Sequence, residues 1–146
     1  MTFEEALAES GVVAIIRGVT PGEVLAIGEA LHAAGVRVVE VPLNSPEPLL
    51  SIARLAETFA GRLFVGGGTM LSTADVDAVA DAGGRLMVSP NVNPQVIRRA
   101  VVRSLVPFPG FATASEAFAA IDAGARYLKL FPASTYGPGH LRQLRA

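Results

Sequence analysis

The chain contains no cysteine and only one lysine. Without cysteine it can build neither a disulfide framework nor a thiolate metal site. Its two histidines, His32 and His140, stand far apart with no acid pair at ligand spacing, so no metal is expected. No apolar run approaches the eighteen or so residues of a membrane span. The N-terminus "MTFEEALAES" carries early acids and lacks the basic-then-apolar layout of a leader. Neither sign of charge dominates: a formal net charge of −1 leaves no basic field for nucleic acid. No strand leads into a G-x-G-x-x-G turn, no G-x-S-x-G elbow occurs, and no serine has an evident histidine base. The expectation is a cytoplasmic protein with no membrane and no nucleic-acid partner.

What the sequence has in quantity is a repeated pattern. Short apolar runs, "VVAIIR" (12–17), "VRVVEVPL" (36–43), "LFVGGGT" (63–69), "RLMVSP" (85–90), "LVPFPG" (105–110) and "YLKLFP" (127–132), show little polar alternation. That composition suits parallel strands covered on both faces. Helix-start signals lie between them: Thr20-Pro21 with Glu23, Ser45-Pro46, Ser72 with Asp75, Asn93-Pro94, and Thr113 with Glu116. Ala34-Gly35, Ala82-Gly83 and Ala123-Gly124 read as helix stops. Strand, cap, helix and glycine recur about every twenty residues, which is the βα unit.

Six such units follow a short N-terminal helix predicted over residues 2–10. A (β/α)8 barrel needs eight units and typically about 200 residues or more, so length alone favours an open doubly wound sheet. Two observations favour the barrel: no dinucleotide-type turn occurs, and the chain stops within "GHLRQLRA" without a helix-stop signal. The expected fold class is therefore α/β, a (β/α)8 TIM barrel incomplete at about six βα units, in one domain over residues 1–146 that lacks the last two units. Strands one and six of such a piece would be open edges.

In a barrel the site is built where strands end. Arg17 closes the first run, Glu40 interrupts the second, Thr69 closes the third, and Ser89-Pro90-Asn91 close the fourth. Lys129, the lone lysine among eleven arginines, lies inside the sixth run between Leu128 and Leu130. Glu40 likewise sits between Val39 and Val41. Charged residues are seldom fully buried without a partner, so the two could be a structural ion pair or charges reaching solvent at a barrel end. They could equally be catalytic. Only a neutral amine attacks a ketone, burial and a nearby guanidinium both favour that form of lysine, and an arginine stays charged. The "FVGGGT" run is either a tight strand-to-helix turn or a place where ligand approaches backbone. His32 is expected on a helix surface.

The ordered set "AIIRG" (14–18), "EVPLNSP" (40–46), "GGGT" (66–69), "SPN" (89–91), "PG" (109–110) and "LKLFPAS" (128–134) resembles the class I aldolases of the 2-keto-3-deoxy-6-phosphogluconate aldolase family. After the glutamate, Pro42, Leu43, Asn44, Ser45 and Pro46 match the branch acting on the galactonate epimer, where the gluconate branch has T-L-R. The resemblance implies a lyase that uses no metal or other cofactor and cleaves a keto-acid sugar phosphate. Lys129 would form the Schiff base and Glu40 would shuttle protons. Arg17 would bind substrate and pair with or orient Glu40, Thr69 would contact the pyruvate carboxylate, and Gly68, Pro90 and Phe131 would complete the substrate pocket. A homo-oligomer, a trimer, is implied in the same way. Loops after strands seven and eight usually hold the phosphate in this fold.

Overall fold

The computed structural model describes residues 1–145. In chain order the elements are α1 (Phe3–Ser10), β1 (Val13–Ile15), α2 (Val24–Ala33), β2 (Val38–Pro42), α3 (Pro48–Thr58), β3 (Phe64–Gly68), α4 (Thr73–Asp81), β4 (Leu86–Ser89), α5 (Pro94–Val102), β5 (Val106–Phe111), α6 (Ala114–Asp122), β6 (Lys129–Leu130) and α7 (Ala133–Leu144). The strands are parallel and stand in sequence order, β1-β2-β3-β4-β5-β6. A doubly wound sheet would reverse that order at a switch point. This sheet does not, so the six units form an arc of a TIM-type barrel. No helix among the described residues is long and apolar enough to cross a membrane.

Local chemistry explains most boundaries. Thr2, Ser72 and Thr113 each accept a hydrogen bond from the backbone three residues on, and Glu5, Asp75 and Glu116 return the bond to the cap. Asn93 caps α5, with Pro94 at its first position. Gly35, Gly83 and Gly124 all have positive φ, as helix stops should. Two start signals are placed differently. Thr20 and Glu23 bond to each other, but the chain makes a turn there and α2 begins only at Val24. Ser45 is not a cap: it is buried and accepts the Gly18 N–H, so α3 starts later, behind Glu47 and Pro48.

Two apolar layers flank the sheet. Outside it, residues such as Val39, Val41, Ile52, Leu55, Met87 and Ile97 pack between strands and helices. Inside the arc, Val38, Phe64, Leu86 and Val88 close around Phe3 of α1. The Phe3 ring meets those of Phe64, Phe108 and Tyr127 edge-on, with centroids 5.4, 6.0 and 4.7 Å away. The N-terminal helix thus plugs the bottom of the barrel and leaves its upper interior to other residues.

Candidate active site

Side chains on a strand alternate between faces, so the aromatic floor identifies the inward positions. Val38 belongs to the floor, which puts Glu40 one layer above it on the same face of β2. Tyr127 also belongs to the floor, which puts Lys129 one layer above it at the start of β6. Register agrees: Glu40 pairs with Gly66 of β3, and Lys129 pairs with Gly110 of β5. The two charges that interrupt apolar runs therefore share one chamber, and each perturbs the other's titration.

Glycines make room for them. A Cβ at Gly66 would lie 2.2 Å from the Leu86 carbonyl oxygen, so β3 and β4 could not approach as they do with any side chain there. A Cβ at Gly68 would lie within 1.8 Å of Glu40 Oε2. Gly68, expected in the substrate pocket, therefore serves first to admit the carboxylate of the neighbouring strand.

Glu40 is 2% exposed, and its Oε2 is buried without a hydrogen-bond partner among the described residues. Burial pushes its carboxyl up to about 7, against the opposing pull of the Lys129 and Arg17 charges. Lys129 is half-buried. Burial holds its ammonium below the ordinary lysine range; the Glu40 charge works against that shift and Arg17 works with it. The Lys129 Nζ lies 5.0 Å from the centroid of the Phe131 ring, which is 42% exposed at the barrel mouth. Buried groups with opposed perturbations mark a candidate acid–base site, although structural ion pairs produce such shifts too.

Arg17 stands on the loop after β1. Its guanidinium donates to Asn44 Oδ1 and, at 3.5 Å, to Thr69 Oγ1. These partners stand in place of direct pairing with Glu40, one of the two relations to Glu40 that the resemblance implied; Arg17 acts on Glu40 through its charge. Thr69 takes φ of +54°, a left-handed conformation rare for a β-branched residue. Pro90, half-buried, follows β4 at the same end of the sheet.

Neither histidine is among the groups that act on Glu40 or Lys129. His32 is half-buried on α2, where its ring tilts against Phe59, rather than fully on the helix surface. His140 donates to the Ala112 carbonyl and stacks on Tyr136. A separate hollow of about 250 Å³ between α6 and α7 is lined by Phe111, Phe118, Leu128 and Leu141, and it holds no acid–base pair. Sequence reasoning missed the supporting role of Ser45, because Ser-Pro after a strand looks like a helix start. Its place beside Asn44 at the site end of β2 was the available signal.

Comparison with known proteins adds three findings. The family model described as "KDPG and KHG aldolase" matches residues 3–146. The 2-dehydro-3-deoxy-6-phosphogalactonate aldolase of Escherichia coli K12 is 46% identical over 134 residues, and a probable enzyme of that name from Rhizobium meliloti is 46% identical over 138. These alignments cover 92% and 94% of this chain and 65% of each relative, so the chain spans about 65% of the length of the curated relatives it matches. A solved structure described as "Native KDPGal structure" superposes with a TM-score of 0.89 at 45% identity, covering 91% of this chain and 65% of that one.

Proposed function

We infer the activity from one premise: this chain belongs to the KDPG and KHG aldolase family. Its residues form the imine-forming centre of a class I aldolase, a lyase that cleaves 2-dehydro-3-deoxy-6-phosphogalactonate to pyruvate and glyceraldehyde 3-phosphate. The observation that carries this reading is the shared chamber of Glu40 and Lys129, with the carboxyl raised to about 7 and the ammonium held low.

At pH 7 an unperturbed lysine is neutral in only about one molecule in a few thousand. The shift at Lys129 enlarges that fraction, and the neutral Nζ adds to the C2 ketone to give a carbinolamine. Glu40, protonated about half the time near pH 7, gives its proton to the departing hydroxyl; water leaves and an iminium remains. The resulting carboxylate then takes the proton of the C4 hydroxyl. The C3–C4 electron pair becomes the C2–C3 double bond as the iminium π pair moves onto nitrogen, the aldehyde departs, and a neutral enamine is left. Glu40 returns the proton to C3, and hydrolysis frees pyruvate and Lys129. A group that gives and takes protons in successive steps is most effective with its pKa near the working pH. The Arg17 guanidinium and Thr69 hydroxyl at the chamber mouth suit the substrate carboxylate, while Pro90 and Phe131 supply apolar walls.

The galactonate assignment rests on Pro42 to Pro46 and on the names of the 46% identical relatives. A phosphorylated substrate does not cross membranes unaided, so the reading carries a cytoplasmic reaction with it. The reading carries a homo-oligomer, a trimer by family resemblance; exposed Val102 and Phe118 on the outer helices offer apolar surface for such contacts.

The test is incubation with pyruvate and borohydride, then peptide mass spectrometry. A reduced pyruvyl group should appear on Lys129, and an unlabelled lysine in folded chain overturns the imine reading. Cleavage rates on the two C4 epimers decide the substrate: faster turnover of the gluconate epimer overturns the galactonate assignment. Labelling without turnover of either phosphorylated substrate would limit this chain to the pyruvate half of the reaction.

A further inference from the structure

We propose that Asn44 is a positioning residue of this site: it holds Arg17 at the barrel mouth through a neutral amide oxygen and so leaves the guanidinium charge unspent. The proposal rests on the imine reading above and adds a residue which that reading does not use.

The geometry begins with the backbone on either side of Arg17. The Ile16 N–H donates to the carbonyl of Glu40 itself at 3.1 Å. The Gly18 N–H donates to the buried Ser45 hydroxyl at 3.0 Å. Arg17 is thus pinned at both flanks to the end of β2 and the loop after it, and Asn44, next to Ser45, takes its side chain by the guanidinium. The side chain is exposed; freeing a long arginine to solvent regains rotamer entropy, so without this bond the cation would spend much of its time elsewhere.

The chemistry of the holder matters as much as its position. A carboxylate at residue 44 would grip the guanidinium with a charge-assisted, often bidentate bond and neutralise it. An amide oxygen holds with one acceptor and no charge. Arginine has five N–H donors; one goes to Asn44, another reaches Thr69, and the rest can meet an anion. The retained charge also acts inside the chamber, lowering the pKa of both Glu40 and Lys129. These are the charges that act on Glu40: Arg17 from the loop after β1 and Lys129 from β6. The ends of β3 and β4 contribute uncharged Gly68 and Ser89, and β5 contributes uncharged Gly110 and Phe111.

Two variants of the full chain test the idea. Asn44→Ala should raise the pyruvate concentration that half-saturates borohydride trapping on the order of tenfold, the scale of a lost hydrogen bond to a charged group, with a smaller fall in the saturated rate as the Arg17 charge is partly withdrawn from Lys129. Asn44→Asp should move the Glu40 titration, followed by carboxyl-carbon NMR without pyruvate, to higher pH, and the onset of trapping should move up with it. The proposal is overturned if Asn44→Asp leaves that titration in place, or if Asn44→Ala lowers the saturated rate while half-saturation stays fixed. Unfolding of Asn44→Ala would assign the residue to the fold and overturn it too. If wild-type chain traps no pyruvate, the imine reading fails, while the titration arm still decides whether Asn44 keeps Arg17 charged.

Discussion

Glu40 of β2 fills the space that a side chain on Gly68 of β3 would take: a Cβ there would stand 1.8 Å from Oε2. The carboxylate is therefore placed by an absence on the adjacent strand. Gly68→Ala must displace Glu40 or push the strands apart. Overpacking of this kind costs about 1–3 kcal/mol, measurable by denaturant titration. The larger effect should be on turnover, which is expected to fall by about two to four powers of ten, the usual worth of a positioned general acid–base group. Unchanged turnover in Gly68→Ala would remove Glu40 from the proton-shuttle role.

Burying Glu40 should also weaken the fold in a pH-dependent way. Its folded-state pKa, about 7, lies above the ordinary 4.5. Below pH 4.5 the group is protonated whether the chain is folded or not, and it contributes no pH dependence. Between 4.5 and 7 the unfolded chain ionises first, so stability falls as pH rises; above 7 the loss is constant. A shift of that size corresponds to on the order of 3 kcal/mol. Glu40→Gln keeps the shape and removes the titration. It should match wild type near pH 4, exceed it at pH 8, and lose turnover. Denaturation curves at both pH values check the sign; a variant weaker than wild type at pH 8 would contradict it.

The strands were readable because parallel strands covered on both faces are nearly continuous apolar runs, and Glu40 and Lys129 stood out by interrupting them. Ser72 and Thr113 were readable as caps because a cap and its return bond lie three residues apart in sequence. Ser45 was not. Its Ser-Pro pair fits a helix start, but the Gly18 N–H from another loop claims the hydroxyl, and tertiary bonding overrides local pattern. The same reason hid the partner of Arg17: which side chain a strand-end arginine meets depends on which loops the sheet brings together. The glycine run at the end of β3 read equally as a tight turn or a ligand approach, and nothing in it told that a carboxylate two strand positions below Gly68 filled the gap.

Lys129 and Glu40 should be separable by substitution. Lys129→Arg keeps a cation that cannot lose its proton, so borohydride labelling by pyruvate should vanish although the chain folds. Lys129→Met removes the cation that helps hold the Glu40 carboxyl down. The Glu40 titration should then move above its wild-type position near 7, read by carboxyl-carbon NMR. If it stays where it is in wild type, the two groups do not share a chamber as described.

Thr69 joins the strain of the site to its function. At φ +54° a β-branched residue is in a conformation that glycine adopts freely, and a left-handed L-residue costs about 1–2 kcal/mol. Its hydroxyl faces the Arg17 guanidinium at 3.5 Å, so what the backbone loses is set against a polar group at the chamber mouth. Thr69→Gly removes both. The strain relief is partly offset because glycine loses about 0.5–1 kcal/mol more backbone entropy on folding, which leaves stability level or slightly higher. Substrate binding should move the other way, with several-fold weaker half-saturation by pyruvate in trapping. A thermal melt beside the trapping curve separates the cases: a clear drop in melting temperature would mean that the threonine side chain holds the loop together, and that its strained backbone is a by-product of packing rather than a feature of the site.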